Sequence, residues 1–339
     1  MNKQSIAVLG GGSWGATLAS YLVGRGHDVS LWEFVPAVAD RLQKLRTLST
    51  LPQLKLPQQV AVTNKISEAL QGRQIVLCVV PSHTIRATFS SPEARRSLPA
   101  KALVINASKG IEEGSNATIS QVIRESFPSA GDIVILSGPS HAEEVAMGQP
   151  VVLVSASQSP AAAERVSEIF LSDTFRVYTS NDPTGVELGG ALKNIYALAS
   201  GIIDGLSLGD NTKAALMSRG LMEMTRLGSA MGAHRITFFG LSGLGDLIVT
   251  CSSKHSRNRL LGEKIGSGKT LNEALAEMTM VAEGVNAARS AYNLGRELKV
   301  ELPIINEMYE VLFKNKSPRE SIKDLMHRHV GAEMEGIAL

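Results

Sequence analysis

The sequence predicts an α/β protein in which a doubly wound, mostly parallel sheet is followed by an all-helical domain. Short apolar runs alternate with helical patterns as far as residue 180, as in sheets flanked by helices. Eleven of the thirteen prolines lie at or before Pro183 and none lies between Pro183 and Pro303, which favours long helices in the second half. The 339 residues also suffice for two domains of about 150 residues each.

Eight strands are predicted in the first half, where β-branched and apolar residues cluster. They lie at 5–9, 28–33, 60–63, 74–80, 102–107, 132–137, 151–155 and 175–179. Beyond residue 184 the apolar positions recur with a period near 3.6, which predicts helices over 185–205, 211–231 and 284–298. We therefore expect a sheet domain over residues 1–183 and a helical domain over residues 184–339.

The composition is that of an ordinary globular protein. Charged residues make up 19% of the chain and the formal net charge is +2, so nothing indicates a nucleic-acid partner. Cys78 and Cys251 form no CxxC motif, which favours a reducing compartment. The N-terminal apolar run breaks at glycine and no stretch of ~18 apolar residues occurs. We expect a cytoplasmic protein with no membrane partner.

Two sequence patterns are discounted as sites. Residues 266–270 resemble the end of a P-loop, but Glu263 stands where the first glycine of that motif belongs, so we interpret them as a turn between helices. His327 and His329 are two residues apart, which directs them to different faces of a helix. No metal site is predicted.

A glycine loop carries the strongest local signal. The residues GGGSWG at 10–15 follow the first predicted strand directly and precede an apolar helix, which is the context of a dinucleotide-binding fingerprint. Gly10 allows the tight turn, Gly12 lets the backbone approach a pyrophosphate, and Gly15 lets helix and strand pack closely. The pattern predicts a Rossmann-type nucleotide-binding domain with the anion at the helix N-terminus.

Glu33 lies at the end of the second predicted strand, eighteen residues after Gly15. A carboxylate there accepts hydrogen bonds from the adenosine ribose hydroxyls and repels a 2′-phosphate. No Arg or Lys occurs in residues 34–37, which favours NAD(H). Arg41 or Lys44 could reach a phosphate from the next helix, so NADP(H) stays open.

Polar groups follow several strands at the sheet edge where ligands bind in open α/β folds. Lys109 follows a buried-type strand and precedes a glycine, so its ammonium could face an anion or a carbonyl; the alternative is a solvated loop lysine. Ser140 lies in the segment SGPSHA at 137–142. With Glu143 it also fits a capping box for the following helix.

Lys193 and Asn194 interrupt a helix that is otherwise apolar on most faces. Desolvation lowers the pKa of a lysine in such a place, which suits acid/base chemistry beside a carbonyl. The alternative is a lysine that extends its ammonium to solvent. Glu187 shares a helix face with Asn194 and could orient it.

A loop and a donor cluster lie further along the chain. Asp246 directly follows the glycine-rich segment 240–245 and is either a helix N-cap or a functional residue. Ser256, Arg257 and Asn258 precede a helix predicted over 260–265 and suit a compact phosphate, unless they form only a solvated basic loop.

Over nearly its whole length the chain resembles the bacterial NAD(P)-dependent glycerol-3-phosphate dehydrogenase family. Several motifs in the same order carry the resemblance: GGGSWGATLA (10–19), VPSH (80–83), NASKGIE (106–112), SGPSHAEEVA (137–146), GVELGGALKNIYALASGIIDGL (185–206), GLSGLGDLIVTC (240–251), HSRNR (255–259) and VAEGV (281–285). The resemblance implies reversible reduction of dihydroxyacetone phosphate to sn-glycerol 3-phosphate, which supplies glycerophospholipid synthesis, by a homodimer.

The resemblance also implies roles for individual residues. Lys193 is the proton donor and acceptor at the substrate C2 oxygen, Lys109 polarises that oxygen, and Asp246 completes the catalytic set. The positions that match substrate contacts are Lys109, Gly138, Ser140, Lys193, Asn194, Asp246, Ser256, Arg257 and Asn258. Besides Gly10, Gly12, Gly15 and Glu33, the positions that match cofactor contacts are Ser13, Trp14, Phe34, Lys109, Ala142, Arg257, Val281 and Glu283.

Two other functions fit parts of the sequence. The same two-domain plan resembles the 2- and 3-hydroxyacid dehydrogenases and the ketopantoate reductases, whose substrates carry carboxylates, so the HSRNR cluster argues against them. A non-catalytic NAD(H)-binding redox sensor is the other alternative. A sensor does not require a lysine in an apolar helix, and a turnover assay distinguishes the two.

Overall fold

The computed structural model describes residues 3–278, 282–331 and 333, and they form two compact units. The sheet unit comprises residues 3–109 and Ile119–Pro183. The helical unit comprises Gly110–Thr118 and the described residues from Thr184 onward. The helical unit therefore includes a short segment taken from within the first half of the chain.

The sheet unit contains one eight-stranded sheet in the order β3-β2-β1-β4-β5-β6-β7-β8. Neighbouring strands are parallel except β6 and β7, which are antiparallel. The predicted fold class, a doubly wound and mostly parallel sheet with a helical second part, is confirmed. The strands are β1 (Ser5–Leu9), β2 (Asp28–Trp32), β3 (Ala61–Thr63), β4 (Ile75–Cys78), β5 (Leu103–Asn106), β6 (Ile133–Ser137), β7 (Val151–Ala156) and β8 (Phe175–Ser180).

Helices flank this sheet, so its central strands β4 and β5 are buried along their whole length. This explains why they read as continuous apolar runs in the sequence. The helices are α1 (Ser13–Gly24), α2 (Pro36–Leu45), α3 (Ile66–Leu70), α4 (Ile85–Ser90), α5 (Pro92–Ser97), α6 (Ile119–Ser126), α7 (Ala142–Ala146) and α8 (Pro160–Phe170).

The predicted helices over 185–205, 211–231 and 284–298 correspond to α9, α10 and α14 of the helical unit. The turn predicted at 266–270 lies between α12 and α13, where Thr270 and Glu273 form a capping box. Among the described residues, no helix has the length and apolar character needed to cross a bilayer. The helices are α9 (Pro183–Gly205), α10 (Asp210–Ala230), α11 (Asp246–Ser252), α12 (Arg257–Gly266), α13 (Leu271–Ala276), α14 (Gly284–Glu297), α15 (Pro303–Lys314) and α16 (Pro318–Met326).

Glycines bring α9 and α12 into backbone contact. A Cβ atom at Gly201 would lie 1.8 Å from the Arg259 carbonyl oxygen, and one at Gly262 would lie 1.9 Å from the Leu198 carbonyl oxygen. One turn further along, Cβ atoms at Gly205 and Gly266 would each lie 2.3 Å from a carbonyl oxygen of the other helix. Small residues at this spacing let two helices cross with little separation. The crossing brings the polar residues of α9 and α12 together.

Replacing Gly262 by Ala is expected to destabilise the fold by about 3 kcal/mol, because the added methyl group forces the two helix backbones apart. The measurement is the urea midpoint of unfolding. Gly24, in α1, is the matched control, since a Cβ there meets nothing within 4 Å. Gly24→Ala is expected to leave the midpoint unchanged or to raise it slightly. Equal midpoints for the two variants would contradict the packing explanation.

Glu223 is a buried carboxyl group that links three helices. Its two oxygens accept hydrogen bonds from the backbone N–H groups of Ile304 (2.7 Å) and Ile305 (3.2 Å), and the Tyr196 hydroxyl donates to it at 3.3 Å. Burial raises the pKa of Glu223 to about 7, and these bonds together with the nearby Arg226 only partly offset the effect. Glu223 therefore gains a proton on folding in mildly acidic solution.

This proton makes the stability of the fold depend on pH. The pKa of Glu223 rises from 4.5 to about 7 on folding, so its protonation stabilises the folded state. This contribution to the free energy of unfolding is complete below pH 4.5 and is lost as the pH rises towards 7. The contribution near pH 5.5 should exceed that near pH 8 by about 2 kcal/mol. Urea unfolding of Glu223→Gln at both pH values should show a smaller pH difference than the wild type. If the difference between the two pH values were the same in Glu223→Gln and in the wild type, Glu223 would not be the source of the pH dependence.

Candidate active site

The glycine loop of the sheet unit has the geometry of a dinucleotide site. Gly10 has a φ of +118°, which favours glycine, and a Cβ at Gly15 would lie 1.9 Å from the Gly10 carbonyl oxygen. A Cβ at Gly12 would meet nothing within 4 Å. Packing therefore explains Gly10 and Gly15, whereas Gly12 leaves open space beside the N-terminus of α1, where a pyrophosphate fits.

Glu33 lies directly after β2 and contacts this loop. One of its carboxylate oxygens accepts a hydrogen bond from the Gly11 N–H at 3.1 Å, and the other accepts from the Val35 N–H at 2.9 Å. Ser13 opens α1, and its hydroxyl is 2.9 Å from that of Thr50. Phe34 exposes 75% of its surface. The loop thus combines backbone donors for a diphosphate with a fixed carboxylate and an exposed aromatic ring.

Lys109 and Ser140 meet at one carbonyl group at the edge of the sheet. The Lys109 ammonium and the Ser140 hydroxyl each donate to the Gly138 oxygen at 2.9 Å. Gly138 has a φ of +136°, which favours glycine. The capping-box alternative for Ser140 is wrong, because α7 begins at Ala142 and His141 occupies its N-cap. The solvated-lysine alternative for Lys109 is also wrong, because its ammonium is bound at this edge.

Lys193 forms a buried ion pair in the helical unit. Its ammonium, on α9, donates to a carboxylate oxygen of Asp246 and, at 2.7 Å, to the Thr250 hydroxyl. Lys193 is 6% exposed and Asp246 only 1%. A lysine that extends to solvent is therefore excluded. The N-cap alternative for Asp246 is wrong as well, because α11 begins at Asp246 and Gly245 occupies the N-cap.

Asp246 supplies the counter-charge of the Lys193 ammonium. Burial disfavours the ammonium form of Lys193, but a carboxylate in contact with it stabilises that form. The Thr250 hydroxyl in turn donates to the Asp246 carbonyl at 2.6 Å, so the three groups hold one another in place. The arrangement presents a proton-bearing ammonium with its counter-charge already supplied. Sequence reasoning missed Thr250, although it lies one helical turn after Asp246 on α11.

A chain of amide hydrogen bonds continues from α9. The Asn258 side chain donates to the Asn194 side-chain oxygen at 2.9 Å and accepts from the Gly284 N–H at 2.9 Å. The two asparagines are 5% and 8% exposed. This chain brings together α9, α12 and the start of α14, where Glu283 is the N-cap residue. Val281, the other residue named there by resemblance, lies outside the described residues.

The N-terminus of α12 has the features of an anion site. Ser256 is its N-cap, and the hydroxyl accepts from the Arg259 N–H at 3.2 Å. Arg257 is the first residue of this ten-residue helix and is exposed, and the positive end of the helix dipole favours an anion there. The helix begins three residues earlier than predicted, which includes Arg257 and Asn258 in its first turn.

Both cysteines are buried. Burial raises the pKa of Cys78 to about 11 and that of Cys251 to about 12, so both remain inert thiols. In the part of the chain that the structure describes, no group of three or more His, Cys, Asp or Glu side chains is placed to hold a metal ion.

A glycine loop on a doubly wound sheet, together with a helical unit that carries a buried lysine, defines a nicotinamide-dinucleotide-dependent dehydrogenase. Two family profiles agree with this class. "NAD-dependent glycerol-3-phosphate dehydrogenase N-terminus" matches residues 5–163, and the corresponding C-terminus profile matches residues 182–323. The chain belongs to the NAD-dependent glycerol-3-phosphate dehydrogenase family.

Individual relatives match nearly the full length of this chain. A protein of Citrifermentans bemidjiense named glycerol-3-phosphate dehydrogenase [NAD(P)+] is 50% identical over 333 residues, covering 97% of this chain and 99% of the relative. One of Enterococcus faecalis with the same name is 46% identical and covers 98% of each chain. The crystal structure of glycerol-3-phosphate dehydrogenase from Coxiella burnetii has a TM-score of 0.92 at 34% identity, covering 96% of this chain and 99% of that one.

Proposed function

We propose that this chain catalyses the reversible, NAD(P)H-dependent reduction of dihydroxyacetone phosphate to sn-glycerol 3-phosphate. The buried Lys193–Asp246 pair carries the proposal, because it supplies a proton-bearing group. The same unit contains the N-terminus of α12, where Arg257 is the first helical residue. The first feature suits a carbonyl that becomes an alkoxide, and the second suits a phosphate. The membership of the family supports the choice of substrate.

The proton is the chain's own contribution to the reaction. The nicotinamide supplies the hydride when the cofactor is bound. The Lys193 ammonium donates a hydrogen bond to the C2 oxygen and transfers its proton as negative charge develops there, while Asp246 balances the charge of the ammonium. In the reverse direction the neutral lysine accepts the proton of the C2 hydroxyl. Thr250 holds the Lys193 ammonium in place.

The remaining substrate residues serve binding and orientation. Ser256, Arg257 and Asn258 hold the phosphate, and Asn194 fixes Asn258 through the bond between their side chains. Lys109 polarises the C2 oxygen, and with Gly138 and Ser140 it contributes substrate contacts from the sheet unit. A phosphate held away from C2 fixes the orientation of the carbonyl and thereby contributes to turnover as well as binding.

For the cofactor, Gly10, Gly12 and Gly15 form the diphosphate loop, and Glu33 binds the adenosine ribose. We assign Ser13, Trp14, Phe34, Lys109, Ala142, Arg257, Val281 and Glu283 as further cofactor contacts. No metal takes part in this proposal. The open space beside Gly12 and the N-terminus of α1 support the diphosphate position.

Glu33 should make NADH the preferred cofactor. Its carboxylate is held by the N–H groups of Gly11 and Val35, so it stays beside the loop and repels a 2′-phosphate. Glu33→Gln removes the charge and keeps the shape, and it is expected to raise kcat/KM for NADPH relative to NADH by about tenfold. The measurement is the ratio of the two values in each protein. The control is Glu68→Gln, an exposed carboxylate after β3, which should leave the ratio unchanged.

The reaction itself is tested by initial rates of NADH and NADPH oxidation with dihydroxyacetone phosphate, against unphosphorylated dihydroxyacetone. Rapid turnover with the phosphorylated substrate alone is expected. Cofactor binding without turnover would overturn the enzymatic proposal and favour an NAD(H)-binding sensor. Turnover only with carboxylate-bearing keto acids would favour a hydroxyacid dehydrogenase.

We also propose the setting in which the enzyme works: a homodimer in the cytoplasm that supplies glycerophospholipid synthesis. Cys78 and Cys251 are both free thiols, which suits a reducing compartment. Sedimentation equilibrium should give twice the chain mass of 36.1 kDa. A single chain mass at micromolar concentration would contradict the dimer.

A further inference from the structure

A cavity lies within the helical unit. Its volume is about 870 Å³, and its walls come from α9, α10, α15, α16 and residues 301, 328–331 and 333. This volume is in the range of small-molecule sites. Lys193, Asp246 and Arg257 do not line it, so the cavity is separate from the residues proposed to bind the substrate.

The walls of the cavity are largely aliphatic. Ile202 and Ile203 on α9 are each 5% exposed, which makes their part of the wall a fixed surface. Such a wall favours an apolar chain over a sugar or a nucleotide. The main aliphatic lining residues are Ile202, Ile203, Leu216, Met308, Val311 and Leu325.

Two polar atoms of the wall have no hydrogen-bond partner in the part of the chain that the structure describes. They are the Ser321 hydroxyl and the Nε of Arg226, and Ser321 is only 5% exposed. Buried polar groups are normally satisfied, so an orphaned hydroxyl in a cavity wall points to a ligand that accepts its hydrogen bond. The guanidinium of Arg219 donates to the backbone carbonyl of Glu333 at 2.8 Å, and that of Arg226 donates to the backbone carbonyl of Glu301 at 3.1 Å.

Most carboxylates of the wall already have partners. Glu301 pairs with Arg328, and Glu307 pairs with Lys316 at 2.6 Å. Glu223 accepts two backbone N–H bonds and lies near Arg226. The Ser321 hydroxyl and the Arg226 Nε are therefore left as donors in the described part of the wall, which also holds Arg219. A group that accepts hydrogen bonds from such donors, such as a carboxylate, complements them.

We propose that this cavity binds an amphipathic anion, an aliphatic carboxylate of fatty-acid type, with its chain on the aliphatic wall and its carboxylate on Arg219 and Arg226. The Ser321 hydroxyl adds a hydrogen-bond donor. This site is independent of the proposed reaction, since it shares no residue with the proposed substrate set.

The test is calorimetric titration of the full chain with dodecanoate below its micelle-forming concentration. Dodecyltrimethylammonium matches the chain length with the opposite charge, and acetate supplies the carboxylate without the chain. Dodecanoate is expected to bind in a 1:1 ratio and at least about tenfold more tightly than either control. Equal binding of the cationic amphiphile would overturn the proposal, because it would indicate non-specific uptake.

Two neighbouring residues of α10 supply matched variants. Ala214 and Ala215 are both exposed, but only Ala215 lines the cavity. Ala215→Trp should weaken dodecanoate binding by at least about tenfold, whereas Ala214→Trp should bind as the wild type does. Arg219→Ala should reduce the preference for the anionic over the cationic amphiphile. If Ala214→Trp and Ala215→Trp changed dodecanoate binding equally, the proposal would be overturned. A sedimentation mass that changed in Ala215→Trp alone would also overturn it, because it would indicate that another copy of the chain covers the cavity.

Discussion

Replacing Lys193 by Met is expected to lower kcat for dihydroxyacetone phosphate reduction by about 10³-fold, with the affinity for NADH retained. Methionine keeps much of the aliphatic volume and removes the ammonium that donates to both Asp246 and Thr250. Loss of a positioned acid/base group costs typically 10²–10⁴-fold, here about 10³-fold. Steady-state rates and NADH binding by fluorescence measure the two quantities separately. A kcat within tenfold of the wild type would remove the acid/base role of Lys193.

The same variant leaves the Asp246 carboxylate buried without its counter-charge, which destabilises the fold by about 3 kcal/mol. The double variant Lys193→Met with Asp246→Asn removes both charges and should recover most of that stability. Its kcat should remain as low as that of the single variant. Recovery of activity together with stability would show that Lys193 acts only through the fold.

Replacing Arg257 by Ala is expected to lower kcat/KM for dihydroxyacetone phosphate by about 100-fold. Arg257 is exposed on the first turn of α12, so its removal should leave the unfolding midpoint unchanged. The effect should divide between KM and kcat, because the phosphate contact also fixes the orientation of the carbonyl. The activity with unphosphorylated dihydroxyacetone should not change. A loss of equal size with that substrate would contradict the phosphate role.

Lys254 supplies the control for charge alone. It lies three residues before Arg257, in the loop that precedes α12, and is also exposed. Lys254→Ala is expected to lower kcat/KM by less than about twofold, since exposed charges beyond hydrogen-bond reach act weakly through water and salt. Arg257→Lys should retain part of the activity, because a lysine keeps the charge and loses the bidentate geometry.

The sequence predicts those features that depend on neighbouring residues. The central strands β4 and β5 appear as apolar runs because they are buried along their whole length, and the glycine loop is recognisable because its turn and its helix adjoin. Lys193 stands out since a charge in an apolar helix has a cost that some function must justify. In each case the physical constraint acts within about ten residues along the chain.

The partners of these residues are not predictable in the same way. Thr250 lies 57 residues from Lys193, and Asn258 lies 64 residues from Asn194, so only the tertiary fold brings them together. The glycines that let α9 and α12 cross explain how Asn194 and Asn258 meet. The sequence alone does not show which helix a pair of glycines packs against. The wrong capping alternatives for Ser140 and Asp246 have a similar cause, because helix starts differ by a residue or two from sequence expectation.

The segment Gly110–Thr118 has a consequence for how the protein can be made. Ile111 is 1% exposed within the apolar core of the helical unit, and Glu113 pairs with Arg289 at 2.5 Å. The ribosome therefore synthesises part of the second core some seventy residues before the helices that cover it. Cutting the gene at residue 183 would leave Ile111 exposed in one fragment and a gap in the other. The two halves are thus not transferable modules, and exchanging one between relatives requires this segment to travel with the helices.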